Sequence, residues 1–356
     1  MKNLNLKLLY LLSINIILSA CSGDKTNSDS NVLETAVFNL ETSVTVKSGE
    51  VKSIPIAIKK QNIKSLQLSI DDSTITTWSN PKNNISYNLE TKNIGVGEHT
   101  LYLNILLNDG KQYTENMQLV VLSELVPQKW NPIIKSVLPH NTSSFTQGLE
   151  FSNGELFEST GNFGQSYIAK VELQTGNHLQ KVDLEQQYFG EGISILNGEI
   201  FQITWQQNKC FVYKQSDITK LREFNYTGEG WGLCNDGENL IMSDGTEKLF
   251  FRNPKTFAVE RTIQVYNNIG PVRELNELEF LDGKIYANVW RTNIIVVIDA
   301  ATGKVLAEIN AEELEKSGRG NGDVLNGIAY NSKTNLWYLA GKNWPKLFEV
   351  SFENLP

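Results

Sequence analysis

Histidine and cysteine are scarce in this chain, and that scarcity narrows its chemistry. The three histidines, His99, His140 and His178, are scattered over 356 residues without metal-ligand spacing, which argues against a His-based zinc site. Of three cysteines, Cys21 lies near the start, leaving only Cys210 and Cys234. Two cysteines in a large domain make no disulfide framework, and both are expected as free, buried thiols. Positive charge is also in short supply. The formal net charge is −8, which makes the chain a poor candidate for binding nucleic acid. Long apolar runs are missing beyond the first twenty residues.

Those first twenty residues carry Lys2 and Lys7, then "LLYLLSINIIL", then "LSAC". The apolar core is too short to span a bilayer as a stable helix and reads as a secretion signal, residues 1–20. The Leu-Ser-Ala-Cys ending resembles a bacterial lipoprotein box, in which Cys21 becomes the lipid-carrying first residue. Cleavage there would remove Lys2 and Lys7 and take the net charge from −8 to −10. The polar run "SGDKTNSDSN" within residues 21–32 reads as a flexible tether. The expectation is an exported bacterial lipoprotein of the cell envelope, anchored to the membrane through Cys21. Ser22, rather than an acidic residue, favours the outer membrane.

Residues 33–125 alternate apolar and polar positions in short runs such as "TSVTVKSG", "VKSIPIAIKK" and "SLQLSI". The "NDGK" turn joins two longer alternating strands as a hairpin. Such a block predicts an immunoglobulin-like β-sandwich, with nothing catalytic in it. "LVPQKWNP" marks the boundary, with residues 126–132 as linker.

From residue 133 to 356 the chain repeats itself. "QGLEFSNGELFEST", "EGISILNGEIFQITW", "WGLCNDGENLIMSD", "NELEFLDGKIYANVW" and "NGIAYNSKTNLWYLAGK" each give a polar or aromatic residue, a strand, a turn and a second strand. A period of about 40 to 50 residues containing only strands predicts β-propeller blades, here five. The whole is therefore all-β: a five-bladed propeller preceded by the sandwich. The last repeat is one strand short, so "PIIKSVLP" is expected to supply its outer strand and close the ring. "NAEELEKSGRG" predicts a short inserted helix with Asn310 as cap, Glu313 three residues on, and Gly318 as stop.

Aligning the hairpins places Gln147, Glu191, Trp231, Asn276 and Asn326 at one equivalent position. The ends of the second strands align Gly161, Trp205, Asp244, Trp290 and Lys342. Both sets are expected at one mouth of the central channel, where propellers bind ligands. A packed core would repeat Val, Ile or Leu there. Any one of these residues is compatible with plugging a solvated channel, but together they argue for a site. The glycines flanking Glu191 are expected to let the chain bend and a substrate backbone approach.

"SSFTQGLEF", "FGEGISILNGEIFQITW", "TGEGWGL", "SDGTEKLFF", "NELEFLDGKIYANVW", "IDAATGKV", "LNGIAY" and "GKNWPKLFEV" resemble the glutamine cyclotransferase family of plants and bacteria. The likeness runs from about residue 133 to the C-terminus. It implies a five-bladed propeller that converts the N-terminal glutamine of peptides or proteins into pyroglutamate with release of ammonia. It also implies that no cofactor or catalytic zinc is required. By motif, the family's acid–base glutamate matches Glu191 in "FGEG". Its substrate-contacting aromatics match Phe145, Trp205, Trp231 and Trp290, and its polar contacts match Gln147, Asn276 and Lys342.

The chemistry suits these residues. The α-amine attacks the side-chain amide of the same residue, so little entropy is lost in bringing the two together. One carboxylate can take a proton from the amine and pass one to the departing ammonia. Glu191 is expected to carry that role with its proton affinity raised by tryptophan walls. Lys342 and Asn276 would face the oxygen that becomes negative. Two other readings stay open at this point: a calcium-dependent propeller hydrolase or lactonase built on Gln147, Glu191, Asn276 and Asn326, and a non-catalytic binding propeller of the envelope. A structural calcium in the channel and the oligomeric state are left open as well.

Overall fold

A computed structural model describes residues 35–39 and 42–354. The signal segment 1–20, Cys21 and the tether 21–32 lie outside the described residues. Among the described residues, the regular structure is β-strand apart from one short helix. None of the described helices is long and apolar enough to cross a membrane.

The N-terminal part holds two sheets. Ala36–Phe38, Val51–Ile58 and Ile85–Glu90 form one; Ser43–Lys47, Gln112–Leu122, Gly97–Leu107, Ile63–Ile70 and Ser73–Ser79 form the other, in that order. Successive side chains of a strand point to opposite faces. In Gly97–Leu107 the residues Leu101, Leu103, Ile105 and Leu107 are accordingly buried. They meet Ile54, Leu89, Ala36 and Ile56 of the facing sheet in two apolar clusters. The "NDGK" turn closes its hairpin as expected, with Gly110 in the left-handed region at φ +87°.

The C-terminal part is a series of four-stranded units, each continuing one of the recurring hairpins. Thr146–Ser152, Gly190–Leu196, Leu233–Asn235, Leu275–Leu281 and Leu325–Asn331 are their inner strands. The last unit has Leu336–Gly341 and Lys346–Asn354 of its own and takes Gln128–Pro139 as its outermost strand. Ile133 faces Ser351 and Leu138 faces Leu347, so the strand expected from "PIIKSVLP" is in place. That strand starts at Gln128, inside the segment read as linker, and its first residues run parallel to Ala307–Ile309 of the preceding unit. Pairing there satisfies backbone groups that a free linker would leave to water.

Five apolar clusters each combine residues of two successive units, and the last joins the fifth unit to the first through Ala329, Tyr338, Leu149 and Tyr167. The inner strands therefore lie side by side around a common axis, each against its neighbours. Cys210 and Cys234 sit in two of these clusters, unpaired and buried. The inserted helix spans Glu312–Gly318. Its N-cap by backbone geometry is Ala311, not Asn310; the Asn310 side chain accepts the Glu312 N–H at 3.0 Å from one residue further out. The N-terminal sheets are fastened to this assembly by Gln264, whose amide pairs with both the N–H and the carbonyl of Glu98 at 3.0 Å.

Candidate active site

Four of the five inner strands carry a register break at one point. It falls between Thr146 and Gly148, Gly190 and Ile193, Leu275 and Leu278, and Leu325 and Ile328. The residues inside those breaks include Gln147, Glu191, Asn276 and Asn326. An irregularity of this kind re-aims a side chain out of the ladder. The recurring polar position of the sequence is thus a recurring break in the pairing.

Three of these four residues, Gln147, Glu191 and Asn276, and three of those at the ends of the second strands, Trp205, Trp290 and Lys342, meet in one cavity of about 260 Å³. Its lining includes Phe145, Gln147, Glu191, Trp205, Trp231, Asn276, Trp290 and Lys342, all eight cavity residues picked from the sequence. Its size lies below the roughly 300–1,000 Å³ of drug-sized pockets and suits a single amino-acid residue. A larger cavity of about 740 Å³ lies between the N-terminal part, the two outermost strands of the third unit and the turn before the outer strand of the fourth, lined by none of these residues.

Glu191 is buried at 5 % exposure. Its Oε1 accepts the Gln147 amide N–H at 3.0 Å, and Oε2 has no hydrogen-bond partner among the described residues. Asn326 fixes Gln147 in turn, donating to its Oε1 at 2.9 Å and to the Thr146 carbonyl at 3.0 Å. Burial pushes the Glu191 carboxyl well above the usual carboxylate range; Lys342 pulls it back and Glu229 adds to the rise. Lys342 is itself buried, which lowers its proton affinity against the opposing pull of Glu191 and Asp323. Its Nζ stands 4.8 Å from the centre of the Phe145 ring. Asn276 is 3 % exposed, and its Oδ1 has no hydrogen-bond partner among the described residues. A buried polar atom left unpaired in a cavity is one a ligand can satisfy.

Aromatic rings form the walls. Trp231 meets Trp290 edge-on with centroids 5.3 Å apart, and Arg291 covers Trp290 at 4.0 Å. Phe189 packs edge-on against Trp205 at 5.7 Å and Phe145 at 6.2 Å. No group of three or more His, Cys, Asp or Glu placed to hold a metal occurs among the described residues.

A family model described as glutamine cyclotransferase matches residues 108–352. The chain belongs to the glutamine cyclotransferase family. It is 39% identical over 221 residues to a glutaminyl-peptide cyclotransferase of Arabidopsis thaliana, covering 60% of this chain and 69% of that protein. The crystal structure of Myxococcus xanthus glutaminyl cyclase aligns at 35% identity and a TM-score of 0.62, covering 65% of this chain and all of the other. The match to the family leaves the first N-terminal strands outside it.

Within this member of the cyclotransferase family, sequence reasoning missed three residues. Phe189 and Asn162 line the cavity, and Glu229 stands behind two of the tryptophans. Phe189 was visible as the aromatic before Gly-Glu-Gly. Asn162 follows the aligned Gly161 and is held at φ +80°. At Gly161 a Cβ would come within 2.3 Å of the Phe189 ring, so that ring fills the place of the absent side chain. Asp244, aligned with the tryptophans, does not line the cavity; its Oδ1 accepts from the Thr246 N–H at 3.0 Å and hydroxyl at 2.6 Å.

The glycines beside Glu191 have a different reason from the one expected. A Cβ on Gly192 would lie 2.4 Å from the Leu233 backbone nitrogen, and one on Gly190 2.6 Å from the Thr160 carbonyl oxygen. Backbone of neighbouring strands, not substrate, occupies that space.

Proposed function

We propose that this chain cyclises the N-terminal glutamine of peptides or proteins to pyroglutamate, releasing ammonia. The observation that carries the reading is a buried carboxylate, Glu191, with one oxygen unpartnered among the described residues, in an aromatic cavity the size of one residue. Membership of the glutamine cyclotransferase family supports it.

The substrate side chain lies curled between the rings of Trp205, Trp231 and Trp290. Its α-amine nitrogen attacks the side-chain amide carbon, forming the ring C–N bond. Glu191 takes the proton released by the attacking nitrogen and delivers it to the amide nitrogen. The exocyclic C–N bond then breaks, and ammonia and a lactam leave. A carboxyl whose proton affinity is raised towards neutrality serves both transfers better than an ordinary one. Lys342 and the amide of Asn276 stabilise the oxygen that carries negative charge in between. This sequence of steps requires no metal and no cofactor.

The five units are read as the blades of a five-bladed β-propeller with the cavity at one mouth, and the N-terminal sheets as an immunoglobulin-like sandwich. Their circular packing supports the first reading and their shared core the second. The same proposal places the protein in the envelope, anchored by lipid on Cys21. Partition of wild type and Cys21→Ser between detergent and water tests the anchor, and equal partition overturns it. The activity is tested by ammonia release from a Gln-initiated dipeptide in the presence of a chelator. Absence of release, or release abolished by the chelator, overturns the reading.

A further inference from the structure

Glu229 lies outside the recurring hairpins, in the connection between the second and third units. Three side chains nevertheless converge on it. Its Oε2 accepts the indole N–H of Trp205 at 2.7 Å and that of Trp231 at 3.0 Å, while Oε1 accepts Gln206 Nε2 at 2.9 Å. Trp205 ends the hairpin of one unit and Trp231 precedes the inner strand of the next. The turn between them is pinned as well. Gly230 donates its N–H to the Trp205 carbonyl at 3.1 Å, and a Cβ at Gly230 would meet the Tyr226 hydroxyl at 2.2 Å.

We propose that Glu229 is a positioning residue of this pocket, clamping the Trp205 and Trp231 indoles as a pair across the seam between two units and fixing a negative charge behind them. The inference rests on the cyclase reading of the cavity. An indole has a single donor. With both donors spent on Glu229, the two rings offer the cavity only carbon surface, and the polar groups left to read the substrate are Gln147, Glu191, Asn276, Lys342 and Asn162. Hydrogen bonds to a carboxylate are stronger than neutral ones, so rotation of either ring out of place is opposed. Burial draws the Glu229 carboxyl upward, but its bonds from Gln206, Trp231 and Trp205 outweigh that and hold it below the usual range. It stays ionised at neutral pH. The charged and titratable groups acting on Glu191 are Lys342 and Glu229, with the Tyr226 hydroxyl also close enough to feel it.

The test compares wild type, Glu229→Ala and Glu229→Gln in the full chain. The amide of Gln can keep an acceptor on the indoles but removes the charge. Nitrogen-15 indole spectra resolve seven tryptophans. In Glu229→Ala two indole signals should move towards their solvent-exposed positions, and KM for a Gln-initiated dipeptide should rise roughly tenfold with a smaller change in kcat. In Glu229→Gln KM should stay within about threefold, while the acid limb of kcat/KM, which Glu191 sets, moves to lower pH because a neighbouring negative charge has gone. Unchanged indole signals and KM in Glu229→Ala overturn the clamp. An unmoved acid limb in Glu229→Gln overturns the electrostatic half. Should Glu229→Ala not fold, Glu229→Asp, whose carboxylate is one methylene short of the two indoles, carries the clamp readout: the same indole shifts and rise in KM are expected, and their absence overturns the clamp. If wild type shows no turnover the cyclase reading fails, while the indole signals still decide the clamp.

Discussion

Glu191 and Glu277 make an instructive pair. Both sit on inner strands within the same kind of register break, are 5 % and 1 % exposed, and have their carboxyls pushed well up by burial. Their oxygens differ. Those of Glu277 accept the backbone N–H groups of Leu149 at 3.1 Å and Ile328 at 2.7 Å, which belong to the first and fifth units. Glu277 is a brace whose acceptors are taken. Glu191 spends one oxygen on Gln147 and keeps the other for the cavity. Burial and raised proton affinity therefore do not by themselves set Glu191 apart from Glu277; under the proposed function, what does is a place in the cavity lining and an oxygen without a partner among the described residues.

The largest expected effect that sharpens this contrast is Glu191→Gln. Turnover should fall roughly 10²- to 10⁴-fold, with the melting temperature unchanged or raised, as read by ammonia release and thermal melts. A variant keeping more than about a tenth of wild-type turnover removes Glu191 from its role. Lys342→Met should follow, with a turnover loss of about 10²-fold, the size expected for one lost oxyanion donor, and little change in KM. Glu277→Gln should do the reverse of Glu191→Gln. One backbone N–H loses its acceptor, which costs about 1–3 kcal/mol of stability, while turnover per folded molecule persists. Loss of turnover at unchanged stability in Glu277→Gln would erase the distinction between the two carboxylates.

The smallest effect is on pH. Glu191 must be ionised to accept a proton, so kcat/KM rises through its pKa, and burial places that limb above the usual carboxylate range. Lys342→Met removes the cation that holds the carboxyl down and should move the limb higher. The stability sign is opposite. A carboxyl whose folded pKa is raised binds more protons folded than unfolded, so its contribution is fully present below the unfolded value and is lost as pH rises through the folded one. Glu191→Gln should flatten that part of the stability profile, measured by denaturant midpoints from acid to neutral pH.

Much of this was legible in the sequence because strand–turn–strand repeats write their period into local composition. The hairpins, the missing outer strand and seven of the eight cavity residues follow from alignment of one repeat on another; Phe145 follows from the resemblance to the family. Glu277 was not legible. It stands beside Asn276 in "NELEF", where the other four repeats carry glycine (Gly148, Gly192, Gly232 and Gly327), and nothing local says that its carboxylate reaches two other units. Glu229 was hidden for the same reason, as its partners are set by how two units meet.

The sequence by itself determined the all-β repeat, the family and which residues stand at the ends of the inner hairpins, since these depend on periodicity and on short motifs. Only the tertiary structure decided which carboxylate keeps a free oxygen, which ring fills the place of Gly161, and why glycine flanks Glu191. Those outcomes depend on hydrogen-bond partners and close contacts supplied by strands distant in sequence, and no local pattern encodes them.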